Sequence, residues 1–139
     1  MYSHILHATD LCDNHFNTCQ QAVEIAKRFH AKLYLLHVIE PSVSLQLAQG
    51  LGFAEVSTPI KDEAITVMSV LGDALGIPSD QQFVEVGSIN THVWKKAQEL
   101  DCTLIIMGSH LQTKLPAFLG SSAHDIIHHA RCDVLTLRG

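Results

Sequence analysis

The sequence predicts an α/β fold: an open, doubly wound sheet of five parallel strands with helices on both faces. Three observations predict it. Short apolar runs alternate with longer segments whose apolar residues recur at three- and four-residue steps. One run, LIIM at Leu104–Met107, is continuously apolar, as suits a strand covered on both faces. Finally, the 139 residues are 47% hydrophobic and only 17% charged, enough to build one core in a single domain spanning 1–139.

The elements follow in order. Ile5–Ala8 is a short apolar strand closed by Thr9 and Asp10. Asp13 and Asn14 are candidate caps for a helix whose stripe is Phe16, Cys19, Val23 and Ala26. Lys32–Val38 (KLYLLHV) reads as a buried strand, so the chain opens with a parallel crossover unit. Residues 41 to about 57, broken by Gly50 and Gly52, read as a loop. Thr58 then caps a helix with Pro59 at its first position, its stripe Ala64, Met68, Leu71 and Leu75, and its stop Gly76 and Pro78. Gln82–Val86 carries polar residues and suits an edge strand. Ile89, Val93, Ala97 and Leu100 mark a third helix, and Leu104–Met107 the fourth strand. After the loop 108–119, Ala123, Ile126, Ile127 and Ala130 mark a last helix, and Val134–Leu137 the last strand.

Composition excludes several functions. The net charge is −5, and the nine Lys and Arg residues form no basic stripe, which argues against nucleic acid as a partner. No apolar stretch reaches the ~20 residues needed to span a bilayer, so no membrane partner is expected. The opening MYSHILHATD lacks the pattern of a secretory signal. Cys12, Cys19, Cys102 and Cys132 form no C-x-x-C pair, which fits free thiols in a reducing cytoplasm, although disulfides stay open.

Two segments carry the candidate chemistry. One is Thr9-Asp10 after the first strand. The other is Met107-Gly108-Ser109-His110 with Gly120-Ser121-Ser122, after the fourth strand and at the start of the last helix. In doubly wound sheets ligands collect where strand order reverses, beyond the carboxyl ends of the strands. The free N–H groups of a helix start attract anions such as phosphate. The plainer alternative stays open: Ser122 with Asp125 three residues on resembles a capping box with a short acid. Neither G-x-x-x-x-G-K-[ST] nor G-x-G-x-x-G after a strand is present. His124 and His128, four apart, raise the thought of zinc, but the expectation is no metal beyond Mg²⁺ arriving with ATP. His4, His7, His30 and His37 read as packing and hydrogen-bonding residues. A Ser–His–Asp triad assembled on paper carries no weight, and no catalytic residue is assigned.

These segments resemble the universal stress protein family along nearly the whole chain. The resemblance rests on MGSH at Met107–His110, GSSAHDIIHHARCDVLTLR at Gly120–Arg138, the opening HILHATDL and the strand LYLLHV. It implies a sheet in the order 3-2-1-4-5 and a homodimer formed by antiparallel pairing of the last strands, Val134–Leu137. It also implies a non-catalytic regulatory protein of the stress response. One branch of the family binds ATP through G-x-x-G, nine residues and G-[ST]. This chain keeps Gly108 and Gly120-Ser121, has Leu111 at the second glycine, and its spacer is one residue short. By the same resemblance Asp10 lies near the adenosine and the Val38 backbone faces adenine. Met107, Gly108 and His110 form the fourth-strand loop. An adenine nucleotide, ATP or AMP, is thus the implied ligand, with Thr9, Ser121 and Ser122 also lining the site. The two alternatives are an interaction module with an empty cleft and a slow ATPase.

Overall fold

The computed structural model describes residues 1–11, 15–40, 50, 57–108, 126–128 and 130–138. In chain order the elements are β1 (His4–Ala8), α1 (His15–Arg28), β2 (Lys32–Ile39), α2 (Ser57–Leu75) and β3 (Gln82–Val86). They continue with α3 (Ile89–Glu99), β4 (Leu104–Gly108) and β5 (Asp133–Leu137). Residues 126–128 are also helical. A single 3₁₀ turn, Ser79–Gln81, leads into β3.

The five strands form one sheet in the order β3-β2-β1-β4-β5, with every pairing parallel. The central strand β1 is held on both sides. Leu6 is level with Tyr34 of β2 and with Ile105 of β4. Alternate side chains divide the core into two layers. On one face Leu6, Leu36, Ile105 and Met107 pack with Ile89, Val93 and Ala97 of α3 and with Ile126. On the other, Ile5, Leu33, Leu35 and Ile106 pack with Ala22 and Ala26 of α1 and with Met68 of α2. The strands are therefore apolar on both sides, which is why LIIM and LYLL read as unbroken runs.

Helix ends show how the chain turns back to each next strand. Helices α1, α2 and α3 all close in the same way. At the end of α1, His30 adopts φ 52°, its N–H reaches the Lys27 carbonyl at 3.1 Å, and the Ala31 N–H reaches Ala26 at 2.8 Å. At the end of α3, Asp101 has φ 54° and the Cys102 N–H reaches Ala97 at 2.8 Å. Both are Schellman closures, with a left-handed residue satisfying carbonyls that the helix leaves open. Helix α2 ends likewise, with Gly76 at φ 73° and the Ile77 N–H reaching the Gly72 carbonyl at 2.8 Å. Helix α3 is further tied to the outer strand by Lys96, which pairs with Glu85 at 3.4 Å and Glu99 at 3.2 Å and lies over the Phe83 ring at 4.5 Å.

Several expectations shift. Thr58 stands inside α2, whose first residue is Ser57, so the expected start, with Thr58 as cap and Pro59 first in the helix, falls two residues too late. Phe16 is 43% exposed, because the buried stripe of α1 is Cys19, Ala22 and Ala26, about 90° around the helix from it. Ile127 is 52% exposed while its neighbour Ile126 is fully buried, since one residue along a helix turns the side chain by about 100°. Leu100 follows α3 as its cap. The proposed caps Asp13 and Asn14 and the loop around Gly52 lie outside the described residues.

Ile106 has no exposed surface and sits in the middle of the α1–α2 layer. Ile106→Ala is expected to cost about 2–5 kcal/mol, read as a lowered midpoint in urea unfolding with an unchanged slope.

Candidate functional site

The topology puts the reversal of strand order at β1 and β4. From β1 the chain moves outward through β2 to β3, then crosses back to lay β4 on the other side of β1. Helix α1, after β1, and Ile126, after β4, cover opposite faces of the sheet, and in doubly wound sheets the crevice for a ligand opens at such a point, beyond the carboxyl ends of the strands. Ala8 is level with Met107, so Thr9 and Gly108 come side by side at its floor. Met107 is fully buried and Gly108 closes β4. Val38 lies on the adjoining strand, two residues beyond the level of Ala8, and is 7% exposed.

Thr9 organises the β1 side. Its N–H extends the ladder to the Leu36 carbonyl at 2.9 Å, and its carbonyl accepts from His37 Nδ1 at 2.8 Å. Its hydroxyl accepts the Leu11 N–H at 3.2 Å. That bond holds Leu11 at φ 60°, a left-handed conformation that costs a residue with a Cβ roughly 1–2 kcal/mol. Asp10, between Thr9 and this turn, is half-buried, and Leu11 packs against the α1–α2 layer of the core. Because a carbonyl only accepts, the His37 bond also fixes its proton on Nδ1. The same is true of His7, fully buried, donating to the Ile106 carbonyl at 3.0 Å, and of His4, donating to Leu100 at 2.9 Å. These histidines stitch strands and turns together, whereas His30 forms the left-handed end of α1.

Three contributors were not legible in the sequence. His37 fastens β2 to the turn after β1. Glu40, just past β2, accepts the Ile89 N–H through Oε1 at 3.1 Å, placing a carboxylate on the start of α3. Ser88, the residue at that helix start, makes no side-chain cap, so Glu40 takes its place. Cys19, buried in α1, hydrogen-bonds with Thr9 from beneath. Burial pushes its thiol up from 9.0 to about 11; the Thr9 bond opposes the rise and the nearby Asp10 adds to it.

The structure thus brings Thr9, Asp10, Val38, Met107 and Gly108 to one end of the sheet. His110, Leu111, Gly120, Ser121 and Ser122 lie outside the described residues, as do Cys12 and His124. Among the described residues no group of three His, Cys, Asp or Glu side chains is placed to hold a metal ion. No helix among them is long and apolar enough to cross a membrane. Cys19, Cys102 and Cys132 are free thiols.

The model of the universal stress protein family matches residues 1–138. The chain belongs to that family. Universal stress protein A homolog 1 of Coxiella burnetii is 33% identical over 141 residues, covering 98% of this chain and 96% of the relative. Homolog 2 of the same organism is also 33% identical, over 86% of this chain and 82% of its own length. Among solved structures, hypothetical protein MJ0577 superposes with a TM-score of 0.74 at 25% identity, covering 100% of this chain and 97% of that one. A universal stress protein in complex with cAMP shares the fold at 19% identity, with a TM-score of 0.71 over 99% of this chain and 97% of that one.

The buried thiol beneath Thr9 gives a pH test. The unfolded chain releases that proton from about pH 9, and the folded chain holds it to about 11, so stability falls as pH rises through that interval. In Cys19→Ala the decline of unfolding free energy between pH 9 and 11, followed by urea titration at each pH, becomes shallower by about one proton.

Proposed function

We propose that this universal stress protein is a non-catalytic regulator that binds an adenine nucleotide, ATP or AMP, in the crevice between β1 and β4. The observation that carries the reading is the register of Ala8 with Met107, which sets Thr9-Asp10 against Gly108 at the reversal of strand order. Asp10 accepts hydrogen bonds from ribose hydroxyls, as carboxylates do at the equivalent point of other doubly wound sheets. The backbone at Val38 meets the adenine edge. His110, Gly120, Ser121 and Ser122 receive the phosphates, with Mg²⁺ accompanying ATP as the sole metal. One protein of the same fold is solved in complex with cAMP, an adenine nucleotide. The protein works in the cytoplasm, as a single domain and as a homodimer.

A second reading has one observation in its favour. Leu111 stands where the ATP-binding branch has glycine and the following spacer is a residue short, which suits a module whose cleft is empty and whose surface does the work. Calorimetric titration of nucleotide-free protein with ATP, AMP and cAMP separates the two. Micromolar binding of ATP, weakened about tenfold or more by Asp10→Ala in a folded variant, supports the nucleotide reading. Equal affinity for AMP assigns the binding to the adenosine half. Absence of heat with all three overturns it in favour of the interaction module.

The homodimer has its own test. β5 is an edge strand, and its Val134, Leu135 and Leu137 are the apolar residues offered to a second copy, Leu135 being 36% exposed. Sedimentation velocity should give a dimer for the native chain and a monomer for Leu135→Lys, since a charge on an edge strand opposes pairing.

A further inference from the structure

At the opposite end of the sheet from the crevice, the starts of β4 and β5 bring two thiols together. β4 and β5 begin at the pairing of Leu104 with Asp133, in which the Asp133 N–H reaches the Thr103 carbonyl at 3.3 Å. Thr103 therefore stands level with Cys132, and Cys102 precedes it at the closed end of α3. Cys102 comes off the end of α3 rather than lying in β4, and the spacing of neighbouring strands, ~4.8 Å, sets the scale of the separation between the two backbones here. A disulfide spans roughly 4.4–6.8 Å between Cα atoms.

The side chains also share a face. Cys102 lies in the α3 layer of the core and Cys132 packs against that same layer. Both line one cleft of about 400 Å³, together with Trp94, Ala97, Ile105 and the exposed Arg131. Cys102 is buried and Cys132 partly exposed. Burial first, then charge on Cys132 and on Asp101, raises the Cys102 thiol to about 12. Burial, with the neighbouring Asp133, raises Cys132 as well.

We propose that Cys102 and Cys132 form a dithiol–disulfide couple, oxidised by a low-molecular-weight disulfide such as glutathione disulfide. The accessible Cys132 thiolate attacks one sulfur of the oxidant, forming a mixed disulfide and expelling one small thiolate. The Cys102 thiolate then attacks the Cys132 sulfur and expels the second. The protein loses two protons and two electrons, and the oxidant leaves as two thiols. The Arg131 guanidinium in the cleft wall favours an anionic oxidant such as glutathione disulfide. The product closes a ring over residues 102–132, which holds β4 with Gly108 and the segment carrying Gly120-Ser121-Ser122. This proposal stands apart from nucleotide binding, because the covalent product is read directly.

The test treats reduced protein with glutathione disulfide, blocks remaining thiols, and follows intact mass and peptide maps. The expected product has lost two hydrogens, yields a Cys102–Cys132 linked peptide and migrates as a single chain without reductant. Because both thiols resist ionisation, its rate should climb roughly tenfold per pH unit from pH 7 to 9. Cys102→Ser should stop at the glutathione adduct of Cys132. Persistence of that adduct in the native chain overturns the proposal. So does a link to Cys12, to Cys19 or to a second chain, or a folded protein that stays reduced while its unfolded form reacts.

Discussion

The pairing of β1 with β4 is the constraint on which the rest of the molecule depends. It places a strand with no exposed side chain on either face, β4, beside the first strand of the chain, so that both must be covered by helices. The two layers of core follow from that demand, with α1 and α2 on one side and α3 on the other. The crevice follows too. It exists because the chain, having built outward to β3, returns to fill the vacant side of β1.

Around this frame the polar groups do a second job. His4, His7 and His37 each donate a ring N–H to a backbone carbonyl elsewhere, binding β1 to the end of α3, β1 to β4, and β2 to the turn after β1. Glu40 does the equivalent for α3. A buried polar group left without a partner costs about 1–3 kcal/mol, so these bonds permit polar side chains in a predominantly apolar layer. Their placement ties the turn after β1 to the end of β2, and the end of β2 to the start of α3.

Most of the fold was legible because its causes are local. Continuous apolar runs give doubly covered strands, and three- and four-residue steps give helices. Gly76 announces its own left-handed turn. His30 and Asp101 adopt that same turn with no glycine to announce it, and Leu11 holds its positive φ through the hydroxyl of Thr9. The errors at Phe16 and Ile127 came from treating every apolar residue near a stripe as part of it, when the sheet decides which 100° of a helix is covered. At the site, Thr9, Asp10 and Gly108 could be placed from topology. His37, Glu40 and Cys19 could not, because each acts through a contact far along the chain that no spacing encodes. The strand order itself came from resemblance rather than from periodicity.

The two outer strands differ in a way that bears on how such molecules crowd together. β3 is flanked by a charged cluster, Lys96 with Glu85 and Glu99, whereas β5 shows Leu135 to its surroundings. A sheet with two bare borders can add neighbours indefinitely and grow into a fibre. A charged border opposes the addition of a neighbour and an apolar one does not, so the two edges of this sheet are unequal in what they admit.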